Sequence, residues 1–119
     1  MNDEVDLPIR TKQFARRIIR LYCALPRQNT VAQILGKQVL RSGTSIGANY
    51  REAHRARSKA EFISKIGDTL KEADETLYWL ELLLEENILP PKRLGSLTNE
   101  ADELVAIFTT IAKRSKGLG

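Results

Sequence analysis

The chain has 119 residues, 42% apolar and 29% charged, with a formal net charge of +4. That is room for one domain around one core, and glycine and proline are too sparse for a collagenous, linker-like or many-turned all-β chain. No apolar run is long enough for a membrane span, and Asp3, Glu4 and Asp6 stand where a basic leader would begin. The single Cys23 cannot form an internal disulfide, and with one histidine, His54, it leaves no plausible zinc cage. The expectation is a cytoplasmic protein without metal or cofactor.

Apolar spacing predicts four helices and no strand. Phe14, Ile18, Leu21 and Leu25 recur every three or four residues, a helical stripe. Proline cannot donate the next backbone bond, so Pro26 stops this first helix, expected over about 8–25. Cys23 lies beside the stripe and is expected to be a small buried residue. A second stripe mixes residue types: Leu35, Val39, Ser42, Ile46, Asn49 and Ala53. It predicts a helix over about 30–55.

Ser58 and Glu61 have the spacing of a capping box, which starts a third helix over about 58–87. Its stripe runs Phe62, Ile66, Leu70, Ala73, Leu77, Leu80 and Leu84. Trp79 is expected at the core edge or, by a small margin, at an interface. Leu89-Pro90-Pro91 ends that helix, and Pro91 suits the first turn of a fourth, over about 91–115. Lys113, Arg114 and Lys116 crowd its last turn before Gly117. Short connections favour antiparallel neighbours. The fold class is therefore all-α, an antiparallel up-down-up-down four-helix bundle occupying residues 1–119. Helices of this length leave much side surface per core residue, which favours self-association.

The second helix is unusual. Gly36, Gly43 and Gly47 each cost about 1 kcal/mol relative to alanine in a helix interior. They fall on one side and are expected to permit close packing, within or between subunits. Ser42 and Asn49 lie on the core stripe, with Ser45 and Glu52 beside them. Buried polar groups need partners, so these residues are expected to form a network that fixes helix register. Catalysis is not expected. His54 lies on another face from Ser42 and Ser45, so no base is available to either serine.

The string from Gln38 to Ala53, QVLRSGTSIGANYREA, resembles the signature of bacterial four-helix-bundle proteins encoded in intervening sequences of large-subunit ribosomal RNA genes. Phe62 to Lys65, Glu72, Thr76 and Trp79-Leu80-Glu81 are similar to that family's third helix. The resemblance covers about residues 10–115, with Ala53 standing where many members have glycine. It implies Gln38, Ser42, Ser45, Asn49 and Glu52 as signature positions, and a homopentamer with a basic surface. It further implies contact with RNA or DNA or, as in the related accessory protein of diversity-generating retroelements, with a nucleic-acid enzyme such as a reverse transcriptase.

Charge is unevenly distributed. Residues 1–27 and 28–57 carry +3 and +4, residues 58–89 carry −5, and residues 90–119 carry +2. Lys37, Arg41, Arg51 and Arg55 share one outward stripe of the second helix, and Lys12, Arg16 and Arg20 one of the first. Outward cations of this kind can neutralise phosphates without reading sequence, and most of them are the forked arginine. Two readings follow. Either this basic face binds RNA or DNA, or its charges pair with the acidic third helix (Glu81, Glu85 and Glu86 among them) and the protein is a structural assembly module. Glu61 and Lys65 are also spaced to pair along the third helix.

Overall fold

The computed structural model describes the backbone of residues 3–117 and the side chains of residues 6–117. Four helices account for the fold: α1 (Asp3–Ala24), α2 (Thr30–His54), α3 (Lys59–Glu85) and α4 (Pro91–Ser115). Each packs against its sequence neighbour, and α1 meets α4 more loosely to close the bundle. The result is an up-down-up-down rod with extents of 46 × 23 × 22 Å. Among the described residues there is no strand, and no helix is long and apolar enough to cross a membrane.

The helix ends follow from local chemistry. Asn29 caps α2 by accepting the Ala32 N–H through its side chain at 3.0 Å. Ser58 Oγ accepts the Glu61 N–H at 3.0 Å, while Glu61 reaches back to the Arg57 N–H at 3.5 Å, one residue beyond the N-cap N–H of a reciprocal capping box. Asn87 ends α3 in the left-handed region at φ 54°. The Ile88 N–H then bonds the Leu83 carbonyl and the Asn87 N–H the Leu84 carbonyl, both at 3.1 Å, which is the Schellman arrangement. Pro91 begins α4, and Gly117 follows it at φ 75°.

Three expectations need correction. α1 begins at Asp3 rather than near residue 8, with Pro8 inside it. Leu7 and Thr11 are buried, so the stripe starts two turns before Phe14, and Pro8 forfeits a single backbone bond near the helix start. Cys23 is exposed, because it falls outside the arc set by Leu21 and Leu25. The buried arc of α2 is also rotated. Ala32, Gly36, Val39, Ser42, Gly43, Ile46, Tyr50 and Ala53 are buried, whereas Leu35 and Asn49 are only half-buried.

Glycine explains the rotation. A Cβ on Gly43 would lie 2.9 Å from Ile18 Cγ1 and 3.0 Å from Cγ2, and one on Gly47 would lie 3.3 Å from Thr11 Oγ1. A Cβ on Gly36 would overlap Leu25 Cδ1. All three glycines therefore face α1 of the same chain and let its backbone approach, drawing that side of α2 into the core.

Candidate nucleic-acid interface

At about 100° per residue, Arg41 and Arg51 lean to opposite sides of the outward stripe of α2. Arg41 leans over α3. Its guanidinium contacts Glu75 at 2.8 Å and Glu72 at 3.2 Å. The Glu75 hydrogen bond and the charge of both carboxylates hold Arg41 above its ordinary pKa against some desolvation. Arg41 is thus an ion-pair residue within the subunit, and its availability to an outside anion needs correction. Its side chain is half exposed, so the pairs are worth about 1 kcal/mol at most. Arg41→Gln is expected to lower stability by that amount or less in denaturant melts.

Arg51 and Arg55 lean the other way, toward α1. With Lys12 they stand around a cleft of about 660 Å³ between α1 and α2. Pro8, Ala15, Gly47 and Ala48 give this cleft an apolar floor, and its lining also includes Thr11, Thr44, Glu52 and His54. The buried Tyr50 reaches its wall and packs on Phe108 with ring centroids 5.5 Å apart. Lys12, Arg51 and Arg55 are exposed, and no described carboxylate forms an ion pair with any of them. Glu52, which itself lines the cleft, is instead bonded by Lys65 of α3 at 3.1 Å. That bond and the charge of Glu52 raise the Lys65 pKa above 10.5. A raised lysine pKa means that this contribution is present at neutral pH and is lost as pH rises through the lysine's folded value. The expected Glu61–Lys65 pair is therefore replaced by a cross-helix pair.

The other cations of the two outward stripes, Arg16, Arg20 and Lys37, are exposed. No described acid pairs with them, and the Arg20 carbonyl accepts a bond from Arg93 at 3.3 Å. Nor does any described base pair with Glu81, Glu85 or Glu86. The structure also places a cation that periodicity did not single out. Arg10 forks onto Glu100 of α4 through Nε and Nη2, both at 2.8 Å, across the α1–α4 seam. The signal available was its displacement from the outward stripe of Lys12, Arg16 and Arg20.

The polar positions of α2 divide similarly. Ser42 is fully buried and donates to the Gln38 carbonyl at 2.9 Å. It also lies 2.9 Å from Thr76 Oγ1 of α3, which is 2.7 Å from the Glu72 carbonyl. Asn49 and Ser45 bond only backward along their own helix, to the Ser45 and Arg41 carbonyls at 3.0 and 2.6 Å. The buried hydroxyl link from α2 to α3 is therefore Ser42–Thr76, not a network through Asn49. Ser42→Ala and Thr76→Val are each expected to cost about 1 kcal/mol. The double variant should cost less than their sum in a denaturant-melt cycle, because neither hydroxyl is then left without its partner.

Among the described residues, no group of three His, Cys, Asp or Glu side chains is placed to hold a metal ion. Trp79 is half-buried against the core with its Nε1 buried and unpartnered, while Tyr78, edge-on to it at 5.1 Å, is 55% exposed. The family model described as 23S rRNA-intervening sequence protein matches residues 5–110. The chain belongs to that family. A solved structure of a protein of unknown function from the S23 ribosomal protein family of Bacteroides thetaiotaomicron superposes with a TM-score of 0.82. It is 41% identical, over 90% of this chain and 98% of that one. No curated protein matches significantly. Membership fixes the four-helix frame, whereas the charges around the α1–α2 cleft are read from this chain's own residues.

Proposed function

We propose that this family member is a non-enzymatic homo-oligomeric bundle that binds RNA or DNA through phosphate contacts on α1 and α2. One observation carries the reading: Lys12, Arg51 and Arg55 converge on one cleft and no described carboxylate neutralises them. Arg16, Arg20 and Lys37 extend the charge along the same two helices. Phosphate contacts of this kind bind without sequence preference and weaken steeply with salt. Self-association, as a pentamer by the family resemblance, repeats the face and multiplies its avidity.

The second reading, an assembly module whose partner is protein, draws support from exposed apolar side chains away from the cleft. Val31, Ile34 and Tyr78 are each more than half exposed. Charge reversal at Arg51→Glu with Arg55→Glu separates the two. Loss of binding to a labelled structured RNA with unchanged mass by light scattering is the expected result. A change in mass would make these arginines subunit contacts.

A further inference from the structure

The α1–α2 cleft is more than a patch of charge. Phosphates alone need no recess, yet three cations without an ion pair among the described residues stand around a floor made by Pro8, Ala15, Gly47 and Ala48. Its volume, about 660 Å³, lies within the range of small-ligand sites. Gly47 and Ala48 keep the floor low. Glu52, which would repel an anion, is held by Lys65. A largely apolar recess rimmed by cations, whose lining carboxylate Glu52 is paired with Lys65, suits a flat apolar group carrying a phosphate.

Resting on the nucleic-acid reading above, we infer that the cleft seats one unpaired nucleotide of the bound strand, its base on the Ala15–Ala48 floor and its phosphate among Lys12, Arg51 and Arg55. A base inside a duplex cannot reach this site, so an unpaired strand is preferred.

Displacement of a labelled oligoadenylate strand tests this, with adenosine 5′-monophosphate and ribose 5-phosphate as competitors. The two carry the same phosphate and differ in the base. Burial of the base against the apolar floor should let the monophosphate displace the strand at roughly tenfold lower concentration. Ala48→Phe, which fills the floor and leaves every cation, should remove that advantage while the strand's salt dependence persists. Equal potency of the two competitors on the wild-type protein overturns the inference whether or not Ala48→Phe folds. A strand that binds with salt sensitivity but shows equal potency leaves the phosphate-binding reading standing. Absence of strand binding at low salt removes both.

Discussion

Gly43→Leu should lower the melting temperature by roughly 8 °C, whereas Gly67→Ala should raise it by about 4 °C. The contrast follows from what each glycine faces. A Cβ on Gly43 would meet Ile18, at 2.9 Å from Cγ1 and 3.3 Å from Cβ. Ile18 is β-branched and fully buried, so it has no alternative rotamer into which to retreat. Forcing a larger side chain into such a contact costs about 3 kcal/mol at the upper end of overpacking, even though leaving glycine gains about 1 kcal/mol of helix propensity. Gly67 has nothing within 4 Å of a new Cβ, so only the propensity gain remains. For a domain of this size about 1 kcal/mol moves the melting temperature by roughly 4 °C. Thermal melts of the two variants read the difference directly. If Gly43→Leu melts at or above the wild type, glycine does not set the α1–α2 separation.

The second large effect concerns the cleft. Replacing Lys12, Arg51 and Arg55 together by glutamine should weaken RNA or DNA binding on the order of a hundredfold at low salt. The slope of log affinity against log salt should also shrink by about one for each cation removed. Glutamine keeps most of the side-chain bulk and adds no repulsion. Because none of the three is ion-paired among the described residues, the melting temperature should stay near that of the wild type. Arg41→Gln is the matched control. It removes one cation from the same outward stripe, but one already held by Glu72 and Glu75. Its effect on binding should be several-fold at most. A control that matches the triple variant would mean that general positive charge, not the cleft, governs binding.

Much of the frame was legible because its signals are local. Pro26, the Ser58 cap and Pro91 each act on the backbone within one turn, and the four stripes needed only period 3.6. The finer placement was not local. Whether Arg41 faces solvent or α3 turns on about 40° of helix rotation, and that rotation is set by the close approach of Gly36, Gly43 and Gly47 to α1. The sequence marks these glycines as sharing a side but does not say which neighbour they meet. The same rotation moved Asn49 off the core and left Ser42 as the residue that reaches Thr76. Leu7 lies two turns before Phe14, with Pro8 beside it, and a proline beyond the first turn speaks locally against a helix that packing nonetheless extends to Asp3. Lys12, Arg51 and Arg55 were each visible as outward cations. Their convergence on one cleft depends on how two helices pack, which spacing along one helix cannot supply.

The most direct test is fluorescence anisotropy of a labelled structured RNA titrated with the wild-type protein across a series of salt concentrations. The account predicts saturable binding at low salt whose affinity falls steeply as salt rises, with a slope of about −0.9 for each phosphate engaged on a duplex. Absence of binding at the lowest salt, with the protein folded, would contradict it and turn the search toward a protein partner.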